Sequence, residues 1–169
     1  MSLRPLQADD LPLLRDLYQD PARMRHIGAV MTAEQVRALL AERLTQWHRG
    51  DPQWRCWVIE ADGGCAGIVG WRQLPMTQAT AEIGFMLLPE QEGKGLALQA
   101  VRALIQQSLV PLGFVRLVAL IGVDNDGSRR LLTRLGFRSV ARFEHSVQLA
   151  QGWCDTEMFD LDVIARQAF

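Results

Sequence analysis

The segment Glu92-Gly93-Lys94-Gly95-Leu96-Ala97 has the residue types of an anion site. It runs into Ala100, Val101, Leu104, Ile105 and Leu109, which recur at helical spacing, so the glycines open a helix. The first amides of a helix have no intrahelical acceptor, and the helix dipole adds partial positive charge there. Gly93 and Gly95 lack Cβ atoms and let the backbone approach a phosphate closely. A glycine pair is equally compatible with a plain turn. Two nucleotide loops are excluded. No Ser or Thr follows Gly93-Lys94, and no third glycine follows Gly95.

A second candidate is Glu82, a carboxylate inside the otherwise apolar segment Thr80–Leu88. It is either a general base, acting directly or through a water, or a structural partner for an arginine. Metal chemistry is not expected. Cys56, Cys65 and Cys154 are scattered, and His26, His48 and His145 lie far from one another. Three reduced thiols point to a cytoplasmic protein.

The elements that must position these residues follow from periodicity. Leu3–Leu6 is a short apolar opening, and Asp9 and Asp10 are capping candidates for a helix bearing Leu14, Leu17 and Tyr18, ended by Asp20-Pro21. Thr32-Ala33-Glu34-Gln35 matches a capping box for a second helix, with Val36, Leu39, Leu40, Leu44 and Trp47 as one apolar stripe. The period then changes to two. Trp54–Glu60, Cys65–Leu74 and Thr80–Leu88 read as strands, with Asp62-Gly63-Gly64 as a hairpin turn. In the third, Glu82, Gly84, Met86 and Leu88 share one face, and Ile83, Phe85 and Leu87 the other.

After the glycine-led helix, Val115–Val123 reads as a strand covered on both faces. Strand, helix, strand implies a right-handed crossover between parallel neighbours. Asn125-Asp126-Gly127 leads into a short helix, Ser128–Leu135, closed by Gly136. Two last strands, near Phe137–Leu149 and Gly152–Leu161, complete a mixed α/β domain.

Composition narrows the class. The chain has 169 residues, 49% hydrophobic and 22% charged, which suits a single globular domain. Eighteen basic residues balance nineteen acidic ones, so nucleic-acid binding by bulk charge is not expected. The apolar run Leu117–Val123 is far shorter than the roughly 18–20 residues of a membrane helix, and no signal-peptide core is visible.

The order Ala81-Glu82-Ile83-Gly84-Phe85-Met86-Leu87-Leu88-Pro89, then Glu92-Gly93-Lys94-Gly95-Leu96-Ala97, resembles the acetyl-CoA site of the GCN5-related N-acetyltransferases. In that family's [Q/R]-x-x-G-x-[G/A] signature, Gly95 and Ala97 match and Glu92 departs. The segment from Asn125 through Phe137 resembles the second half of the same fold, in the branch that includes the ribosomal-protein acetyltransferases RimJ and RimL. The resemblance covers essentially all of residues 1–169, as one acetyltransferase domain. It implies a central mixed sheet with a parallel β-α-β crossover at the CoA site.

It further implies acetyl-CoA as cosubstrate, with no metal. Backbone groups around Met86 and Leu87 would hold the pantetheine arm, and amides of Gly93, Lys94, Gly95, Leu96, Ala97 and Leu98 the pyrophosphate. The Lys94 side chain would add a charge-assisted contact unless it is simply solvated. Asn125 would pair with a pantetheine amide, cap the helix, or both. Arg130 would approach a phosphate or remain a surface arginine. Ser128 would donate to the departing sulfur, or serve as a first-turn serine. Many members carry a Tyr acid three residues before the Leu-Gly-Phe turn; here that position is Leu132.

The reaction implied is direct attack of a neutral amine on the thioester. A lysine-like amine costs about 4–5 kcal/mol to deprotonate at pH 7, an α-amine only about 1. The acceptor implied is a primary amine of a small molecule, such as an amino-acid-like one, or a peptide or protein amino terminus. The basic connection Pro21-Ala22-Arg23-Met24-Arg25-His26-Ile27-Gly28 favours an acceptor that also bears a negative group, unless those arginines are only solvated. Trp54, Trp71 and Trp153 are candidates for a pocket wall, or for core. A homodimer is compatible with this reading. A CoA-binding sensor without turnover and a nucleotide-binding α/β protein are the alternatives.

Overall fold

The computed structural model describes residues 1–75, 79–149 and 151–166. Its elements, in chain order, are β1 (Ser2–Pro5), α1 (Leu11–Tyr18), α2 (Pro21–Met24), α3 (Ala33–Arg43), β2 (Arg55–Ala61), β3 (Gly64–Gln73) and β4 (Thr80–Leu87). There follow α4 (Leu96–Leu104), β5 (Arg116–Gly122), α5 (Asp126–Leu135), β6 (Arg138–Leu149), β7 (Gly152–Asp162) and α6 (Val163–Arg166). Among the described residues, the strands form one mixed sheet in the order β1-β2-β3-β4-β5-β7-β6.

The sheet divides two cores by strand alternation. In β3, Ile68 joins Leu14, Leu17, Met24, Val36 and Leu40 on the side of α1–α3. Val69 and Trp71 join Leu104, Leu117, Leu132 and Leu135 on the side of α4 and α5. Trp71 is fully buried, edge-on to Trp47 at 5.1 Å and to Phe114 at 5.0 Å between ring centroids. It is core, not pocket wall, because β3 turns it toward α4 and its indole N–H is satisfied by Ser108 Oγ at 3.1 Å.

β4 and β5 are the parallel pair expected of the crossover, but they pair only over Thr80↔Arg116, Ala81↔Leu117 and Glu82↔Val118. Beyond Glu82, β4 continues beside β3 as far as Leu87↔Gly67, while β5 continues beside β7 to Gly122↔Thr156. The centre of the sheet therefore splays open. Leu88 N–H donates to Ala66 carbonyl at 2.9 Å, so by strand alternation the main-chain groups of Leu87 face the gap.

Other expectations need correction. Asp10 does not cap α1 with its side chain; its carboxylate accepts from Gln7 N–H at 2.8 Å and from Arg4 at 2.6 and 2.8 Å, closing a turn ahead of the helix. Asp20 starts α2 by accepting from Ala22 N–H at 2.8 Å. The Thr32 capping box is present, but α3 stops at Arg43; Leu44 is exposed and Trp47 turns to the opposite core. β5 is not covered on both faces. Leu120 is 49% exposed, because α1–α3 pack over β2, β3 and β4 only.

Candidate active site

A cavity of about 690 Å³ lies between the end of β4 and the start of α5. One wall is Phe85, Met86 and Leu87 of β4. The far end is Gly93, Gly95, Leu96, Ala97 and Leu98, and α5 with its connection supplies Asn125, Ser128 and Arg130. The segment following α1 closes the mouth with Arg23, Arg25, His26 and Ile27.

The glycine loop is built as a cradle. Gly93 and Gly95 both adopt φ near +74°, the left-handed region in which a Cβ is unfavourable. Glu92 N–H donates to Pro89 carbonyl at 3.2 Å, and Gln99 N–H to Gly95 carbonyl at 3.2 Å. Between them, the amides of residues 93 to 98 find no acceptor among the described residues. Six consecutive donors are thus unpaired at the start of α4, five of them on residues that line one end of the cavity, where the dipole favours an anion.

The candidate side chains separate into two groups. Asn125 is the residue preceding α5, and its Oδ1 accepts from Ser128 N–H at 3.0 Å, leaving its NH2 group to point elsewhere. Ser128, Arg130 and Asn125 all border the cavity. Lys94 does not: its Nζ donates to Gln91 Oε1 at 3.1 Å and lies 4.0 Å from Asp62. Glu82 lies outside the lining as well. Its Oε2 accepts from Arg72 Nε at 2.7 Å and Nη2 at 2.6 Å, and Arg72 in turn stacks over Trp54 at 5.3 Å. Trp54 packs on Gly84, where a Cβ would approach its ring to 3.0 Å. The carboxylate and the loop are therefore on one strand-loop segment but in different surroundings. Trp153, 59% exposed, lies outside the lining too.

The basic connection singled out in the sequence lines the cavity through Arg23, Arg25, His26 and Ile27, and Arg134, which the sequence reading did not single out, lines it too. Arg134 lies one helical turn beyond Arg130, an i,i+4 spacing that marks a common helix face. Arg23 donates to Leu87 carbonyl at 3.4 Å and is ion-paired with Glu92 and with Asp20, the latter at 3.5 Å. His26 stands 3.3 Å from Asp124, just beyond the end of β5. Four arginines against one glutamate make the lining strongly cationic. Among the described residues there is no group of three or more His, Cys, Asp or Glu arranged to hold a metal. No helix among them is long and apolar enough to cross a membrane.

This geometry agrees with comparisons to known proteins. The family profile described as an acetyltransferase (GNAT) domain matches residues 1–138. Spermidine N(1)-acetyltransferase of Escherichia coli (strain K12) is 27% identical over 146 residues, 86% of this chain and 76% of that protein. A solved RimL ribosomal-protein acetyltransferase in complex with coenzyme A aligns with a TM-score of 0.84 at 21% identity, covering 96% of this chain and 94% of that one. Spermidine N-acetyltransferase from Vibrio cholerae, in complex with CoA and spermine, aligns at 0.81 with 18% identity, covering 95% and 94%. These likenesses establish the mixed-sheet fold.

Proposed function

This chain belongs to the GNAT acetyltransferases and is an N-acetyltransferase; from that premise we propose that it moves the acetyl group of acetyl-CoA onto an α-amine, either of an amino-acid-like molecule or of a peptide amino terminus. Residues 1–169 act as one domain. The observation that carries the CoA reading is the row of amides from 93 to 98 without internal acceptors, at the end of a cavity lined by Arg23, Arg25, Arg130 and Arg134. Phosphate oxygens suit both groups of donors.

The pantetheine arm lies along β4, where Met86 and Leu87 line the gap and the Leu87 main chain faces it. The Asn125 NH2 group is available to a pantetheine carbonyl, because only its Oδ1 is used in the cap. Arg130 approaches a phosphate. Ser128, one turn from the loop that holds Asn125, donates to the sulfur as it departs. Leu132 cannot perform that task, being buried and apolar.

An α-amine is the acceptor that this site handles with least assistance, since its neutral form is reached at about 1 kcal/mol at pH 7. A polyamine would call for free carboxylates. Here Glu82, Asp155 and Asp160 each engage an arginine. The described cysteines are unpaired, which supports a reducing, cytoplasmic setting.

Incubation with acetyl-CoA and a panel of amino-acid amides, tripeptides and polyamines, followed by free-thiol release, tests this reading. Turnover with α-amines ahead of polyamines is expected. CoA binding without thiol release for any amine would turn the assignment to a sensor.

A further inference from the structure

We propose that His26 is the proton acceptor of the transfer, held for that task by Asp124. The inference rests on the acetyl-CoA reading above and assigns its base. His26 borders the same cavity as Asn125 and Ser128, and is only 16% exposed. Arg25 Nε donates to His26 Nε2 at 2.8 Å. A guanidinium has no acceptor atom and does not deprotonate, so Nε2 must present its lone pair. In the neutral imidazole, the proton is then on Nδ1.

Nδ1 is buried and makes no well-aligned hydrogen bond, yet Asp124 Oδ1 stands 3.3 Å away. A small rotation completes the contact. The fold makes room for this pair at Gly122: a Cβ there would come within 3.1 Å of Asp124 Oδ1 and 3.8 Å of His26 Nδ1. The segment is also anchored from the far side, where Gln151 Nε2 donates to Arg25 carbonyl at 2.8 Å. A base oriented by a carboxylate, on a residue that borders the cavity, is the arrangement general-base catalysis requires.

The charged groups around the imidazole are Arg25 and Arg23 on its own segment, Asp124 after β5, Arg130 and Arg134 from α5, and Glu92 from the loop. Among the described residues, Arg25 hydrogen-bonds to it and Asp124 pairs with it. Arg25 is exposed and can yield its place at Nε2 to an entering ammonium. Glu82 is less suited, since both Arg72 nitrogens hold one of its oxygens and it does not border the cavity.

The step balances without a further reactant. The acceptor ammonium gives one proton to Nε2, forming the imidazolium. The freed lone pair attacks the thioester carbonyl, a C–N bond forms, the C–S bond breaks, and CoA leaves as thiolate. The thiolate takes the second proton from the acylated nitrogen, and the imidazolium returns its proton to water.

The test uses the full chain with acetyl-CoA and the α-amine that wild type acetylates fastest in the panel. His26→Gln should lower kcat at neutral pH by about fivefold to tenfold, the cost of neutralising an α-amine without a base, while CoA binding by calorimetry stays within about threefold. The deficit should shrink as pH rises and the amine deprotonates unaided. Asp124→Asn, on an exposed side chain, should lower kcat by about twofold to threefold with the same pH trend. A rate unchanged in both variants, or a deficit equal at all pH values, overturns the proposal. So does a loss selective for low pH in Glu82→Gln but not in His26→Gln. A wild-type chain that neither binds CoA nor releases thiol defeats the acetyl-transfer reading instead.

Discussion

The guanidinium of Arg23 is ion-paired with the carboxylate of Glu92, tying α2 to the glycine loop across the cavity mouth. Glu92 occupies the position at which the family signature has Gln or Arg, and it borders the amides proposed to hold a diphosphate. A bare carboxylate there would repel the ligand; the arginine neutralises it and adds its own attraction.

Removing the arginine alone should therefore hurt most. Arg23→Ala is expected to raise the Kd for CoA by about tenfold, or about 1.4 kcal/mol. Adding Glu92→Gln to that variant should recover much of the loss. Calorimetry on the two single variants and the double variant checks this. Equal, additive losses would mean that the pair does not act as a unit.

Asn125 has two jobs that one substitution can separate. Aspartate also accepts at a helix start, so Asn125→Asp should leave the melting temperature nearly unchanged. It replaces the donor NH2 by an anion, and CoA affinity should fall by about fivefold or more, the value of one hydrogen bond. Asn125→Ala should lower both affinity and stability, the latter by about 1 kcal/mol.

Much of the fold is legible in the sequence because local rules and packing agree there. The period of two in Thr80–Leu88 correctly separates Met86 from Ile83, Phe85 and Leu87, and Thr32 with Gln35 forms the expected capping box. The exposure of Leu120 is not legible, since it depends on which strands α1–α3 reach, a tertiary matter. Likewise Glu82 reads as a carboxylate among apolar neighbours, and only the β3–β4 register brings Arg72 opposite it. The conformation of the glycine loop, with Gly95 opening α4, is well read from sequence because it is set by the main chain and is local. His26 with Asp124 is the least readable, being joined across nearly 100 residues with no motif.

Stability in acid should depend on Asp10. Hydrogen bonds from Arg4 and the Gln7 N–H hold its carboxyl below the ordinary carboxylate range, against the opposing effect of burial. A depressed folded-state value adds stability that is complete above the unfolded value, near 3.9, and is lost as pH falls through the lower folded one. Asp10→Asn should cost about 1–3 kcal/mol at pH 7 and progressively less below pH 4, as read from urea unfolding at several pH values.

Leu132 occupies the position of the tyrosine found in many relatives, and it is fully buried beside Leu135 in the larger core. Restoring the tyrosine should overpack that core. Leu132→Tyr is expected to cost about 1–3 kcal/mol in denaturant unfolding and to give no gain in kcat.

The backbone amides of residues 93 to 98 can be watched directly by amide NMR during titration with CoA. The resonances of Gly93, Gly95, Leu96, Ala97 and Leu98 should move the most, and phosphate-free pantetheine should leave them nearly still. Gly95→Glu should abolish the response to CoA. Large shifts elsewhere in the chain, with these amides unmoved at saturating CoA, would contradict the central claim.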